Sequence, residues 1–191
     1  MKKQNTIIGI AIVVALIIDI IILYNFQHRP KEQIDENALY TERFGDTILK
    51  FERYDYVLGQ NMIVGVEKSI DGGKTFNIIT QDGVVVSNKA MFEFMSEKLA
   101  FIISTENLSR SNDFIGFKVT QDGGKTFNNA KFNYDNPRVD ILHIDSFPYY
   151  NDDKKLSLDC TVYDLAPDGN GYQDYLLTFV SEDNGLTWNL K

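Results

Sequence analysis

The side chains with the greatest potential for chemistry are few. The chain has two histidines, His28 and His143, and one cysteine, Cys160. A Ser-His-Asp site would need His143 with Asp140 or Asp145 as the orienting carboxylate, but no segment resembles a nucleophile elbow. A single cysteine allows neither an intrachain disulfide nor a thiolate-rich zinc site. The sequence therefore predicts a protein that is not an enzyme, with no catalytic residues, no metal and no cofactor.

Clustered acidic residues raise the question of calcium. Asp168 and Asp174 bound the sequence Asp-Gly-Asn-Gly-Tyr-Gln-Asp. Its spacing departs from the EF-hand loop, which needs further oxygen ligands and a bidentate Glu at the twelfth position. A long, Gly-rich hairpin loop explains the segment better, and residues 151–153 (Asn-Asp-Asp) are typical of a solvated turn.

A third set of aspartates recurs in one pattern, Ser/Thr-x-Asp-x-Gly-x-Thr-Phe/Trp. The pattern occurs at residues 69–76, 120–127 and 181–188. Its fixed positions are Asp71, Gly73, Thr75 and Phe76, then Asp122, Gly124, Thr126 and Phe127, then Asp183, Gly185, Thr187 and Trp188. Three copies at a spacing of roughly 50–60 residues indicate a repeated β unit.

Turn chemistry explains the pattern. An Asp carboxylate accepts hydrogen bonds from backbone N–H groups just ahead of it, and Gly supplies the positive φ of a tight turn. Thr and the aromatic residue restart an extended strand, and we expect the ring to point into the core. The preceding segments, 62–69, 114–120 and 175–181, have the composition of strands. Each copy is therefore predicted to be a β-hairpin turn.

These octapeptides resemble the Asp-box, or BNR repeat, of sialidases and other β-propeller proteins. In that family the box is a structural turn between the last two strands of a blade, away from the substrate. The resemblance implies that the twelve repeated residues serve the fold. It does not extend to sialidase activity, because the chain lacks the family's arginine cluster and its Arg-Ile-Pro signature.

The repeat defines an all-β domain over residues 38–191. Residues 84–132 contain four strand-like segments, which is the size of a propeller blade. Residues 139–190 repeat the scheme with a longer loop, and residues 47–79 form a shorter first unit. Three units fall below the usual four to eight blades. We therefore expect an incomplete propeller or a compact two-sheet sandwich, with the oligomeric state left open.

The N-terminus has the features of a membrane anchor. Residues 7–23 are apolar except for Asp19, and Tyr24 extends the run. This length is close to what a helix needs to cross a bilayer, and no cleavage site follows it. We predict a short cytoplasmic tail (1–6), a transmembrane signal anchor (7–24), a linker (25–37) and a domain outside the cytoplasm, periplasmic in a cell with two membranes. Asp19 is either a contact to another membrane helix or a tolerated acid near the interface.

Charge restricts the partners. The net charge is −8, and such a surface repels phosphate backbones, so nucleic acid is excluded as an expected partner. One segment, residues 147–150 (Phe-Pro-Tyr-Tyr), is typical of a recognition surface, because Tyr-rich loops supply rigid contact area with a polar group. The predicted contact residues are Phe147, Tyr149 and Tyr150; the alternative is that these rings close the end of the domain.

An anchored β domain without catalytic groups is expected to bind protein. Its domain organisation, an N-terminal anchor followed by a small β domain, resembles that of membrane-anchored immunity proteins of type VI secretion systems. This resemblance implies a secreted toxin as the partner. A glycan-binding or glycosidase-related module is the alternative, since Asp-box proteins include both. A third possibility is an assembly factor for an envelope complex, for which Asp19 would be the clue.

Overall fold

A computed structural model describes residues 37–57, 61–104, 113–134, 139–144, 146–165 and 172–191. The expected tail, anchor and Asp19 lie outside these residues, as does nearly all of the linker. The described residues belong to one compact unit, Asn37–Lys191. Strands are the only regular secondary structure among them, which confirms the all-β prediction. None of these residues forms a helix suited to crossing a membrane.

Within the described ranges the domain has fourteen strands. In chain order they are β1 (Ala38–Phe44), β2 (Thr47–Val57), β3 (Asn61–Ser69), β4 (Asn77–Ile78), β5 (Val84–Ser87), β6 (Met91–Phe94), β7 (Ala100–Ile103), β8 (Asp113–Thr120), β9 (Asn128–Asn133), β10 (Val139–Ile144), β11 (Tyr149–Tyr150), β12 (Leu156–Leu165), β13 (Tyr172–Ser181) and β14 (Thr187–Leu190).

The strands form two sheets. The small sheet has the order β1-β2-β3, with β4 and β5 both paired to the far edge of β3. The large sheet has nine strands, in the order β10-β12-β13-β14-β9-β8-β7-β6, with β11 also paired to β12. It curls into a half-barrel, a shape that the right-handed twist of strands produces when many neighbours pair in series.

Three four-stranded antiparallel meanders account for most of this topology. They are β1-β2-β3-β4, β6-β7-β8-β9 and β10-β12-β13-β14. The second and third join through their last strands, since β9 and β14 pair in parallel, with Trp188 opposite Phe132. The expected first unit, 47–79, was too short, because β1 already supplies a strand from Ala38. The unit expected at 84–132 keeps its four strands but begins later, at β6, because β5 pairs with β3 instead.

Two hydrophobic clusters fill the interior, and β7 contributes to both. The inner cluster lies within the curl of the large sheet and includes Phe101, Phe117 and Trp188. The outer cluster lies between the small sheet and the β6–β7 end of the large sheet. Alternate residues of β7 point to opposite sides, so Phe101 belongs to the inner cluster and Ile102 to the outer one. All four residues of β7 are consequently buried.

Candidate functional site

The repeated octapeptides occupy one position in each meander. We call them turn 1 (69–76), turn 2 (120–127) and turn 3 (181–188). Each connects the third strand to the fourth: β3 to β4, β8 to β9, and β13 to β14. The glycine at each fixed position has a positive φ, of 96° at Gly73, 93° at Gly124 and 89° at Gly185. A side chain at these positions would be strained, which explains the choice of Gly.

The aspartate of turn 2 shows how the octapeptide is held. One carboxylate oxygen of Asp122 accepts the backbone N–H of Thr126 at 3.0 Å and the hydroxyl of Thr120 at 2.8 Å. The other accepts the Thr126 hydroxyl at 2.7 Å. The Thr120 oxygen in turn accepts the N–H of Gly124 at 2.8 Å. The carboxylate is thus occupied by its own turn, which leaves it little capacity for a ligand.

Turns 1 and 3 repeat this geometry. In turn 1, Asp71 accepts the backbone N–H of Thr75 at 3.0 Å and its hydroxyl at 2.7 Å. In turn 3, Asp183 accepts the N–H of Thr187 at 2.8 Å and the hydroxyl of Ser181 at 2.8 Å. Each of the three predicted aspartates is therefore engaged by the hydrogen bonds of its own turn.

Hydrogen bonding controls the protonation of these acids. The Thr75 N–H and hydroxyl, followed by Ser69, hold the pKa of Asp71 well below its ordinary value. Partial burial by itself would raise the pKa of Asp122, but the hydrogen bonds from Thr126 and Thr120 outweigh it and leave this pKa lowered. The same balance lowers the pKa of Asp183. All three are charged at neutral pH, as acceptors of several N–H and O–H groups should be.

The aromatic residues that end the turns have different environments. Trp188 is completely buried in the inner cluster and Phe127 packs against the outer cluster. The expectation that each ring points into the core is wrong for Phe76, which is 37% exposed. Its ring instead covers the Lys50 ammonium, with the nitrogen 4.7 Å from the ring centroid. A cation on an aromatic face is a favourable contact. The Phe76 ring is therefore stabilised by the Lys50 ammonium rather than by packing in a hydrophobic cluster.

Sequence reasoning missed the ion network beneath Phe76. Lys50 lies on β2, 8% exposed, and its ammonium is 3.1 Å from Glu67 and 2.5 Å from Glu52. Lys50 pairs with Glu67 across β2 and β3, whereas Glu52 lies two residues along the same strand. Side chains two residues apart on a strand point to the same face of the sheet. The spacing of Lys50 and Glu52 on β2 could therefore have indicated that the two lie on one face. These covered charges, one ammonium between two carboxylates, contact each other within the small sheet and indicate a structural role.

The predicted recognition segment divides into a buried part and an exposed part. Phe147 packs against the inner cluster, whereas Tyr149 and Tyr150 form β11 and are 42% and 55% exposed. The Tyr149 hydroxyl donates to Asp159 at 3.1 Å, and the Thr178 hydroxyl donates to the other oxygen of that carboxylate at 2.7 Å. Slight burial and this hydrogen bond raise the pKa of Tyr149. One exposed ring is thus fixed in orientation by the sheet beneath it.

Beside β11 an open groove crosses the ends of three strands. Its walls are the β11–β12 loop (151–155) and turn 3, and an ion pair between Lys155 and Glu182 at 2.5 Å connects them. The lining residues are Tyr150, Lys154, Lys155, Leu156, Ser181, Glu182 and Asn184. The groove lies next to Tyr150, one of the predicted contact residues.

No family model matches the chain, and no curated protein matches it. The geometry alone must therefore indicate the function.

The remaining sequence candidates contribute little to a site. The side chains of Asp140 and His143, the whole of Asp145 and the segment from Asp168 to Gly171 lie outside the described residues. Within the part that the structure describes, no three His, Cys, Asp or Glu side chains are placed to hold a metal ion. Cys160 is buried in the inner cluster.

Proposed function

We propose that this chain is a membrane-tethered protein-binding domain that neutralises a secreted toxin by direct contact on the outer side of the cytoplasmic membrane. The observation that carries the proposal is the exposed ring of Tyr149, held by Asp159. Rigid aromatic side chains are the residues that contribute most to protein interfaces, since they bury a large area with little loss of conformational entropy.

The surroundings of Tyr149 support an interface. Tyr150 is its neighbour on β11, and Leu176 on β13 is 64% exposed. Leu176 alternates with Thr178 along β13, so it shares the outer face with Thr178 and with the paired Asp159. Tyr149 and Leu176 thus share one face with a hydrogen-bonded polar centre, a combination typical of a contact surface. The acidic domain adds a long-range field that speeds encounter with a basic partner.

We infer that turns 1 to 3 are Asp-box turns, as their sequences suggest. Support comes from their shared place between the third and fourth strands of a meander and from their shared hydrogen bonds. Of the two expected architectures, the packing of the small sheet against β6 and β7 favours a two-sheet arrangement over an incomplete propeller. In this proposal the turns build the scaffold and the third meander carries the binding surface.

Binding is tested with matched tyrosines. Tyr149→Ala should weaken capture of the toxin by about 2 kcal/mol or more, the usual scale for a central interface residue. Tyr56→Ala is the control, because Tyr56 is 65% exposed on β2, outside the third meander. The readout is growth rescue when each variant is co-expressed with a toxin directed to the periplasm, alongside the dissociation constant. Equal rescue by Tyr149→Ala and Tyr56→Ala would show that Tyr149 does not belong to the interface.

Tethering is tested separately. A reporter active only in the cytoplasm, fused after Lys191, should stay silent if the predicted anchor at 7–24 exports the domain. A strong cytoplasmic signal would contradict the topology. If the protein binds a free sugar instead of a toxin, the glycan-binding alternative is correct. If neither a toxin nor a sugar binds and Asp19→Leu alone abolishes function, the assembly-factor alternative takes their place.

A further inference from the structure

The groove beside β11 results from a difference among the three meanders. In the first, Gly72 N–H donates to the carbonyl of Asp46 at 3.0 Å, which ties turn 1 to the β1–β2 turn. In the second, Gly123 N–H donates to the carbonyl of Lys98 at 2.9 Å, which ties turn 2 to the β6–β7 turn. In the third, Asn184 holds this position, and among the described residues its N–H makes no such bond to the β11–β12 loop. The Lys155–Glu182 ion pair joins the two walls in place of this backbone hydrogen bond, and the groove lies between them.

Both walls of the groove carry an unusual backbone. Lys154 has a φ of 60° and Asn184 a φ of 56°, and within the described residues they are the only non-glycine residues with a positive φ. For a residue with a side chain this conformation is unfavourable, for Lys more than for Asn. Turns 1 and 2 avoid the cost by using Gly72 and Gly123 at the position of Asn184. Strained residues that keep their side chains tend to cluster at functional sites.

The side chains on these walls are available for binding. The Lys154 ammonium, the Asn184 carboxamide and the Tyr150 hydroxyl have no hydrogen-bond or ion-pair partner within the described part of the chain. The second ammonium, that of Lys155, is already occupied by Glu182, and Asp153 also lies close enough to raise its pKa. The groove therefore offers one free cation, an amide and an exposed ring.

We propose that this groove holds an extended segment of the protein partner and that a carboxylate of this segment pairs with Lys154. The inference rests on the proposed function and names the chemistry that the partner must present. A carboxylate complements the free ammonium and accepts from the Asn184 amide, while the ring of Tyr150 covers an adjacent apolar side chain. The acidic domain as a whole attracts a basic partner, and the Lys154 ammonium then fixes the orientation of this partner by pairing with one of its carboxylates.

Zero-length coupling tests the contact directly. A carbodiimide joins an ammonium to a carboxylate only when the two are in contact, so the toxin complex of the full-length protein should yield a link from Lys154 to an acidic residue of the toxin. The Lys155–Glu182 pair provides an internal control, because it should couple within the chain. Lys154→Arg should keep the affinity and lose the link, since a guanidinium pairs with a carboxylate but does not couple.

Glycine variants separate binding from folding. Lys154→Gly and Asn184→Gly relieve the left-handed backbone, so both should melt at or above the temperature of the wild type. Lys154→Gly should nevertheless bind the toxin about tenfold or more weakly, within the range of interface hot spots. Lys154→Glu should bind more weakly still, while Lys98→Glu, the same change of charge on an exposed lysine elsewhere, should bind normally.

The outcomes distinguish the two proposals. If the toxin binds and Lys155 couples to Glu182, but Lys154 forms no link and Lys154→Glu binds like the wild type, the groove proposal is wrong and the function stands. If mass spectrometry finds a carboxylate-bearing saccharide rather than a peptide attached at Lys154, the partner class is wrong. If no toxin binds to the wild type, the proposed function fails, and the groove proposal fails with it.

Discussion

Turn 1 and turn 3 have the same octapeptide pattern and the same internal hydrogen bonds, but the two are embedded differently. Turn 3 inserts Trp188 into the inner cluster, and a Cβ on Gly185 would lie 2.5 Å from the Phe101 ring. Turn 1 lies at the surface, with Phe76 half-exposed and open space around Gly72. A repeated sequence therefore repeats a local conformation and does not determine how strongly the rest of the protein depends on it.

The aromatic residues should show the largest contrast. Trp188→Ala should lower the free energy of unfolding by about 3–5 kcal/mol, because it leaves a large cavity in the inner cluster. The indole also stacks on Phe132 and donates to the carbonyl of Gly185 at 2.9 Å. Phe76→Ala should cost about 1 kcal/mol or less, since a half-exposed ring over a cation is lost. Equal costs in urea unfolding would contradict the contrast.

The glycines should differ next. Gly185→Ala combines a positive φ with a clash against Phe101, and we expect a loss of about 2–4 kcal/mol from overpacking and backbone strain together. Gly73→Ala, at the equivalent position of turn 1, has a φ of 96° and would approach only the end of the Ile48 side chain, at 3.0 Å, so strain should cost about 1 kcal/mol. Thermal melts of the two variants measure the difference. A loss for Gly73→Ala as large as that for Gly185→Ala would contradict the contrast.

The aspartates should respond more evenly. Asp122→Ala removes the acceptor for the Thr126 N–H and hydroxyl, and unsatisfied donors should lower the stability by about 1–3 kcal/mol. Partner affinity should change only in proportion to the unfolded fraction. A variant that melts like the wild type and loses toxin binding would show that Asp122 belongs to a binding site.

Acid should produce the smallest effect, in all three turns alike. The pKa of each turn aspartate is lowered in the folded state, so its contribution to stability is complete above the ordinary pKa of about 4 and is lost as the pH falls further. Urea midpoints should therefore fall between pH 5 and pH 3. Asp122→Asn should be less stable at pH 5 and should lose less on acidification than the wild type.

The sequence contained the local geometry of this domain and little of its long-range pairing. Strands expected at 62–69, 114–120 and 175–181 are present as β3, β8 and β13, because turn chemistry and alternation operate within a few residues. The parallel contact of β9 with β14 was not predicted. This contact joins residues far apart in the chain, and neither strand has a sequence pattern that identifies the other as its partner.

The candidate site shows the same division. Tyr149 and Tyr150 were predicted from composition, and the structure exposes both. Phe147 was grouped with them, but it packs on the inner cluster, because adjacent residues of an extended segment point in different directions. Lys154 and Asn184 of the proposed groove were missed, although Asn in place of the first of the two adjacent glycines was visible in turn 3. That substitution has meaning only when the opposite loop is known.

The double burial of β7 has a consequence for hydrogen exchange. Residues 100–103 form the wall between the inner and the outer cluster, and both of their neighbours, β6 and β8, are hydrogen-bonded to them. Exposing the amides of this strand to solvent requires separating it from β6 and β8 and opening both clusters, so we expect these amides to exchange only when the domain opens globally. Exchange of the β7 amides at the free energy of global unfolding would show that the two sheets are one cooperative folding unit.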